Sequence, residues 1–291
     1  MVHLLQVVFS GLSVGAVYAL TALGFGIVHR GTGAVNFAQG EYVMVGGVVA
    51  GVVHEAFAPP LLVTILVGLA AGALVGLATH VVGVHFTPNP TADGITVATI
   101  GVAIAIKAGM TIVTNRRTFG MPSFTGDAPI SVLGAALNPQ TLWNLALVGV
   151  AATALALFFR RTRRGIMLQA VADDAEIASA FGVSYRGATA WSFGLAGVSG
   201  ALAGLALTPL TLISFDSGTL LGLKGFAAAM LGGLGSMPGA LAGGLVLGLS
   251  EAFFAGYGYS NLADVVAFVI LLVVLFVRPS GIFATTAVER V

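Results

Sequence analysis

The sequence predicts an all-α, polytopic integral membrane protein: a bundle of about eight or nine transmembrane helices with one short cytoplasmic helix. Hydrophobic residues make up 57% of the 291-residue chain and charged residues only 8%, whereas about a quarter of an ordinary soluble domain is charged. Apolar stretches of about 20 residues, the length that crosses a bilayer, recur from one end of the chain to the other. Many of the charged residues are instead concentrated in one segment, residues 160–187.

Charged residues, prolines and asparagines divide the chain into its predicted spans. The first apolar stretch lacks a basic start and a small-residue cleavage site, so we expect a retained span rather than a signal peptide. Glycine clusters in the second and seventh spans could break a helix part-way through the membrane, so two alternatives stay open for each span: one continuous helix or a broken one. The predicted spans are residues 4–28, 35–57, 61–83, 92–113, 140–159, 188–213, 219–235, 239–257 and 262–277. All of residues 1–291 are expected to form one transmembrane domain.

The distribution of arginines predicts the orientation of the chain, because cytoplasmic loops carry an excess of basic residues. With residues 160–187 in the cytoplasm and alternating spans, only Arg116 and Arg117 lie outside. The N-terminus is then external and the C-terminus cytoplasmic, which requires an odd number of spans and favours nine. The arginines on the inner side are Arg30, Arg160, Arg161, Arg163, Arg164, Arg186, Arg278 and Arg290.

Glycines recur at four-residue spacing in several spans. Small residues at this spacing let helix backbones approach closely, and close packing must hold helices together in lipid. We expect these glycines to pack within one bundle, with packing against another subunit as the alternative. The pairs and triplets are Gly11 and Gly15; Gly68, Gly72 and Gly76; Gly200 and Gly204; Gly239 and Gly243; and Gly244 and Gly248.

The segment 160–187 contains five arginines and three acidic residues. Within it, Asp173 to Gly182 are predicted to form a short amphipathic helix outside the membrane. Asp173 or Asp174 is placed to cap its N-terminus, Glu176 adds a favourable charge there, and Gly182 suits a left-handed C-terminal position. An apolar side of Ile177, Ala178, Ala180 and Phe181 fits either a helix resting on lipid headgroups or a helix that docks a cytoplasmic partner.

Five polar residues interrupt the apolar segments. Asn36, Gln39 and Glu41 lie together near the start of the second span, and Lys224 and Glu251 lie in the second half of the chain. An ionisable group at membrane depth is costly and usually faces a cavity or a partner. We therefore expect these five residues to lie near a translocation pathway, with Lys224 paired to Glu41 or to Glu251. The alternative for Glu41 is a solvated position among the headgroups.

Other polar residues are assigned to packing or to the interface. Lys107 is expected to extend its long side chain to the outer membrane interface. Ser13 lies in a stretch, GLSVG, that matches a nucleophile pattern by its letters, but an apolar membrane helix cannot supply the required strand-turn-helix. His54 and His80 have no further ligand at metal-binding spacing. We therefore expect no catalytic residue and no metal site.

Four sequence blocks resemble the LivH-type permeases of branched-chain amino acid ABC importers, in the order of that family. The stretch EIASAFG resembles the E-A-A-x-x-x-G loop of ABC importer permeases through Glu176, Ala178 and Gly182, with Ile177 in place of the first alanine. Together the blocks run nearly end to end through the chain. They are residues 18–47 (YALTALGFGIVHRGTGAVNFAQGEYVMVGG), residues 162–183 around that loop, residues 224–252 (KGFAAAMLGGLGSMPGALAGGLVLGLSEA) and residues 278–283 (RPSGIF).

This resemblance implies a transport subunit that imports branched-chain or related amino acids across the bacterial plasma membrane. The helix at residues 174–181 would then couple the permease to an ATP-hydrolysing subunit, through Asp173, Asp174, Glu176, Ala178 and Gly182. The sequence has no G-x-x-x-x-G-K-[ST] phosphate loop, so ATP and magnesium are expected on partner subunits and no cofactor on this chain. Members of the family usually carry an arginine where Gln169 stands, so one charged contact of the coupling interface is not expected here.

The resemblance also implies a set of partners. They are a second, LivM-like permease, two ATP-binding subunits and an extracytoplasmic solute-binding protein, besides membrane lipid; nucleic acid is not expected. The external loop, residues 114–139, would help to receive the binding protein through Arg116, Arg117 and Asp127, and its alternative is an unstructured connector. For the protein as a whole, the competing class is a self-sufficient secondary transporter or channel for a small polar solute, which would need no docking helix.

Overall fold

The computed structural model describes residues 1–87, 90–258, 262–278 and 281–283 of the chain. Arg290, which was counted in the orientation, lies outside these residues. The fold is a helical bundle, as predicted. Its helices are α1 (Val2–Thr32), α2 (Gln39–Phe57), α3 (Leu61–His80), α4 (Ala92–Thr114), α5 (Pro139–Arg161), α6 (Arg163–Asp173), α7 (Ala175–Ala180), α8 (Tyr185–Leu207), α9 (Ser217–Gly232), α10 (Met237–Gly256) and α11 (Ala263–Val277).

Each predicted span corresponds to one of these helices, and α6 and α7 form the segment between the fifth and sixth spans. Within the described residues, six helices are long and apolar enough to cross a membrane: α1, α3, α4, α5, α8 and α10. Residues Val265–Val277 of α11 form a shorter apolar helix. The chain is therefore a multi-pass membrane protein, and its helix ends differ from the predicted ends by a few residues.

The loop at residues 114–139 contains a β-hairpin that the sequence analysis did not predict. Strands β1 (Ile130–Val132) and β2 (Ala135–Leu137) pair antiparallel. Leu133 and Gly134 connect them, both with positive φ, of 52° and 82°. Positive φ at both central residues matches the twist of a two-residue hairpin. This loop is also tied to the bundle, because Phe119 exchanges backbone hydrogen bonds with Ile213. An unstructured connector is therefore the wrong description of the loop.

Glycines bring the helix backbones into direct contact. A Cβ atom on Gly248 of α10 would collide with the backbone of Gly15 in α1, and one on Gly244 would collide with Ala19. A Cβ atom on Gly72 of α3 would collide in the same way with the backbone of α8. Such close approach maximises van der Waals contact where lipid removes the hydrophobic driving force. The prediction that these glycines pack within the bundle is confirmed.

The non-helical segment between α1 and α2, residues 33–38, lies inside the bundle and ends where α2 begins at Gln39. Asn36 and Ala38 of this segment are fully buried. Thr99 of α4 anchors it, since its Oγ1 accepts a hydrogen bond of 3.1 Å from the backbone N–H of Phe37. The glycine cluster of the second span, in contrast, lies within a continuous helix from Gln39 to Phe57. The second span is therefore one unbroken helix from Gln39, because backbone contacts with α8 and α9 accommodate its glycines.

The predicted seventh span, residues 219–235, is shorter than expected. Helix α9 ends at Gly232, and Gly233 and Gly235 both adopt positive φ before α10 begins at Met237. Glycine is the residue that takes this conformation without a steric penalty. The chain thus turns directly from α9 into α10, and a Cβ atom on Gly239 would collide with the carbonyl group of Gly232 across the turn.

Candidate translocation and coupling sites

A cavity of about 290 Å³ lies between α2, α4 and α9. One wall carries Glu41 of α2, and another carries Lys107 of α4. The remaining lining is largely apolar, with Phe37, Ile104 and Phe226 among its side chains. A mostly apolar cavity with a few polar groups is the usual form of a small-molecule site.

Glu41 is held in this wall by its position at the start of α2. It is the third residue of the helix and only 4% exposed. Behind it, Gly40 packs against Gly222 of α9, and a Cβ atom on Gly218 would press on the Glu41 carboxylate. The tight contact between α2 and α9 therefore fixes where the carboxylate lies. Its burial contradicts the alternative of a solvated position among the headgroups.

The sequence analysis expected Lys107 to extend its side chain to the outer membrane interface. The structure places that side chain in the cavity lining instead. Its Nζ donates a hydrogen bond of 3.0 Å to Thr219 Oγ1 of α9, and its side chain lines the same cavity as Glu41. The Glu41 carboxylate lies near both Lys107 and Thr219. A bonding partner on a helix distant in sequence overrides the tendency of lysine to reach for water. Lys107 is thus a polar residue of the cavity that the sequence analysis assigned to the wrong place.

Asn36 and Gln39 lie beside the cavity but hold the chain rather than line it. The Asn36 Oδ1 atom accepts a hydrogen bond of 3.1 Å from the backbone N–H of Ala38, which stabilises the turn into α2. The Gln39 Nε2 atom donates one of 3.1 Å to the carbonyl oxygen of Ala196 in α8. Both residues are fully buried. Asn36 thus supplies a side-chain partner to the backbone of the break between α1 and α2, and Gln39 ties the start of α2 to α8.

Lys224 and Glu251 form an ion pair that joins α9 to α10. Lys224 Nζ lies 2.6 Å from Glu251 Oε1, and the Tyr18 hydroxyl of α1 donates to Glu251 Oε2 at 2.8 Å. The pairing with Glu251 is the one that forms, and Glu41 belongs to the neighbouring cavity. The five residues predicted to lie together therefore separate into this ion pair, the cavity wall at Glu41, and the turn at Asn36 and Gln39.

The segment between α5 and α8 folds into two short helices, where the sequence analysis predicted one helix from Asp173. Asp173 is the last residue of α6, and Asp174 caps α7, with its Oδ1 accepting a hydrogen bond of 2.8 Å from the Ile177 N–H. Gly182 adopts the expected left-handed conformation, at φ 81°. The extended backbone of Asp174 separates the two helices, which is the usual conformation of an N-cap residue.

The apolar residues of α7 do not share one side. Ala178 is buried against Val171 and Ala188. Ile177 is 58% exposed and Phe181 is 85% exposed. Helix α7 therefore fixes itself to the bundle through a small residue and presents Glu176, Ile177 and Phe181 outward.

Arg116, Arg117 and Asp127, the residues predicted to receive the binding protein, do not share a contact partner in the structure. Arg117 forms an exposed ion pair with Glu55 at the end of α2. Asp127 accepts a hydrogen bond from Ser123. Arg116 is exposed, with φ of 58° at the turn after α4. The loop presents these charges on an ordered surface, and their role in docking remains a prediction.

Two further polar residues have structural partners. Ser13 of the GLSVG stretch lies in α1, and its Oγ accepts a hydrogen bond of 3.0 Å from Asn144 Nδ2 of α5. His80 Nε2 lies 3.0 Å from Thr189 Oγ1 of α8. In the part of the chain that the structure describes, no group of three His, Cys, Asp or Glu residues could hold a metal ion.

Comparisons with known proteins agree with this architecture. Residues 7–275 match a family model described as the permease component of branched-chain amino acid transport systems. The chain is 31% identical over 302 residues to the high-affinity branched-chain amino acid transport permease LivH of Escherichia coli (strain K12), covering 99% of this chain and 98% of that protein. It is 31% identical over 304 residues to the BraD permease of Pseudomonas aeruginosa, with the same coverage.

A solved structure shares the fold at low sequence identity. A chain of PsaBC from Streptococcus pneumoniae, solved in complex with a Fab, superposes with a TM-score of 0.50 at 14% identity, covering 96% of this chain and 93% of that one. At this identity the likeness concerns the fold alone. The family match over most of the chain and the near full-length relatives show the identity directly: the chain belongs to the permease components of branched-chain amino acid transport systems.

Proposed function

We propose that this chain is the transmembrane permease subunit of an ATP-driven importer that carries branched-chain or related amino acids into the cytoplasm. Membership of the permease family makes it a transport subunit rather than an enzyme. ATP binding and hydrolysis, with magnesium, belong in this proposal to two separate subunits. A second permease and an extracytoplasmic solute-binding protein complete the assembly.

Helix α7 is the observation that carries the coupling part of the proposal. It is capped at both ends, by Asp174 and by Gly182. It is anchored to α6 and α8 through Ala178, and it exposes Ile177 and Phe181. A rigid helix with exposed apolar residues beside an exposed acid fits a groove in a partner. Motion of ATP-hydrolysing subunits would reach α5 and α8 through this element.

The proposed orientation places α7 in the cytoplasm. The N-terminus is then external, the hairpin of β1 and β2 faces the binding protein, and the C-terminus is cytoplasmic. The arginines of residues 160–164 lie at the end of α5 and the start of α6, where the excess of basic residues at cytoplasmic helix ends supports this assignment.

A gentle-detergent purification of the chain from its native membrane tests the proposal. We expect two kinds of ATP-binding chain and a second permease to co-purify, with ATPase activity in the complex. Glu176→Lys should remove the ATP-binding chains, because it reverses the exposed charge of the docking helix. Asp93→Lys is the matched control, since Asp93 also is the second residue of a helix and exposed.

The control variant should retain its partners, and both variants should insert into the membrane equally well. Recovery of the chain alone, with uptake into liposomes driven by an ion gradient, would establish the competing class, a self-sufficient secondary transporter. Retention of the ATP-binding chains by Glu176→Lys at the level of Asp93→Lys would refute the role of α7.

A further inference from the structure

We propose that the cavity between α2, α4 and α9 binds the backbone of a zwitterionic α-amino acid, with Glu41 receiving its ammonium group and Lys107 its carboxylate. This inference rests on the proposed function and adds the atoms that recognise the solute. The established family membership assigns no residue of this chain to solute binding.

The charges on the walls of the cavity are the first argument. Glu41 and Lys107 carry opposite charges and line the same space, yet these two described residues form no direct ion pair. Glu41 Oε2 is buried without a hydrogen-bond partner among the described residues. A buried charge that lacks a partner is costly. A solute that brings one positive and one negative group, as an α-amino acid does, satisfies both residues while adding no net charge.

Thr219 prepares Lys107 for this role. Its hydroxyl accepts the 3.0 Å hydrogen bond from Lys107 Nζ and holds the ammonium group on the α9 side of the cavity. An ammonium group has three donors, so this bond leaves others for a carboxylate. Glu41 is held on α2 by the close contact of Gly40 with Gly222, and its carboxylate also lies against Gly218 and near Thr219 of α9. The two charged groups thus belong to different helices and both lie at Thr219, without a direct ion pair between these two described residues.

The rest of the cavity suits an aliphatic side chain. Phe37 and Phe226 lie with ring centroids 5.9 Å apart, and Ile100, Ile104 and Leu223 extend the apolar lining. The volume of about 290 Å³ is near the lower end of the range for small-molecule sites, about 300–1,000 Å³. The space therefore fits one small solute with a charged backbone and an apolar side chain.

The other buried charges of the bundle do not compete for this role. Lys224 and Glu251 already form a direct ion pair, at 2.6 Å. A solute would have to separate them and would gain little by replacing one charged partner with another. The Glu41 carboxylate and the Lys107 ammonium group lie near each other but form no direct ion pair, so a solute can bond to both without separating one.

The absence of cysteine from the sequence makes the test direct. Ile104→Cys places one thiol in the cavity wall, and Leu223→Cys places one on the opposite helix as a second reporter. Ile112→Cys, an exposed position on the same helix as Ile104, is the matched control. Each variant is purified as the whole complex in nanodiscs, and the labelling rate of this chain by a small thiosulfonate reagent is measured with increasing L-leucine.

We expect L-leucine to slow labelling of the two cavity reporters and not of Ile112→Cys. 4-Methylpentanoate, which is leucine without its ammonium group, and isoamylamine, which is leucine without its carboxylate, should protect poorly. Adding Glu41→Gln or Lys107→Met should raise the half-protecting leucine concentration roughly ten- to hundredfold, the usual effect of losing one charged hydrogen bond.

Equal protection by leucine, 4-methylpentanoate and isoamylamine would overturn the inference, and so would protection that persists unchanged in both charge variants. Absence of protection at both cavity reporters, in a complex that hydrolyses ATP and imports leucine, would overturn it as well. Failure of the proposed function is a separate result, because it shows as a chain that purifies without ATP-binding subunits.

Discussion

Lys224 Nζ lies 2.6 Å from Glu251 Oε1 in the interior of the bundle, with only 5% of the lysine side chain and 17% of the glutamate side chain exposed. The Tyr18 hydroxyl donates to the second carboxylate oxygen. This contact joins α1, α9 and α10. The pair is therefore a structural tie between helices next to the cavity that contains Glu41.

The Lys224→Met variant should lose on the order of 3–5 kcal/mol of unfolding free energy, because it leaves the Glu251 carboxylate buried without its cation. The double variant Lys224→Met with Glu251→Gln should recover most of this loss. Equilibrium denaturation in mixed detergent micelles measures both. Arg117→Ala is the control, because it breaks an exposed ion pair. Arg117 and its partner Glu55 are both more than half exposed, so the loss of unfolding free energy should stay below about 1 kcal/mol. Equal costs for the two single variants would contradict this role of the buried pair.

Close packing of α1 on α10 predicts a different response at two glycines. Gly248→Ala should destabilise the bundle by about 1–3 kcal/mol, because the added Cβ collides with the Gly15 backbone. Gly101→Ala, on the outer side of α4, has no described atom within 4 Å of the added Cβ. It should be neutral or slightly stabilising, since alanine favours the helix over glycine. Thermal unfolding of the purified chains compares them, and a larger loss at Gly101 would contradict the packing.

The cap of α7 predicts a local effect. Asp174→Ala should weaken the helix by about 0.5–2 kcal/mol, because the Ile177 N–H loses its acceptor. Asp174→Asn, whose side chain keeps an oxygen acceptor, should behave almost like the parent. Hydrogen exchange over residues 175–181 in nanodiscs measures the change. Faster exchange in both variants alike would show that the charge, rather than the cap, stabilises this helix.

The orientation predicts which introduced thiols are reached from outside the cell. Leu133→Cys lies at the tip of the hairpin and is 83% exposed; Phe86→Cys lies between α3 and α4 and is 74% exposed. A membrane-impermeant maleimide should label Leu133→Cys in intact spheroplasts and Phe86→Cys only after permeabilisation. The cysteine-free parent is the control, and the reverse pattern would show that the chain is inverted.

The sequence predicted the helices well because the bilayer imposes one length and one polarity on every span. Signals carried by neighbouring residues, such as the cap at Asp174 and the left-handed Gly182, could also be recognised. The hairpin at residues 130–137 was missed, since its strands of three residues are too short for an alternating pattern to be evident.

The candidate site was predicted only in part because its members are distant in sequence. The sequence analysis singled out Glu41 because it is an ionisable residue isolated in an apolar segment. Lys107 is isolated in the same way, but it was assigned to the membrane interface. The partner of Lys107, Thr219, lies 112 residues further along the chain, and no local pattern indicates that α4 and α9 meet there. Asn36 and Gln39 were grouped with Glu41 because they are close in sequence, although the turn between α1 and α2 directs them to different neighbours.

Uptake by the purified complex tests the central claim most directly. The chain, its second permease and the ATP-binding subunits are reconstituted in proteoliposomes with the solute-binding protein on the outer side and ATP trapped inside. We expect leucine to accumulate with ATP but not with a non-hydrolysable analogue, and not with Glu176→Lys in place of the parent chain. Accumulation that proceeds without ATP and follows an imposed ion gradient would contradict the account and identify a self-sufficient transporter.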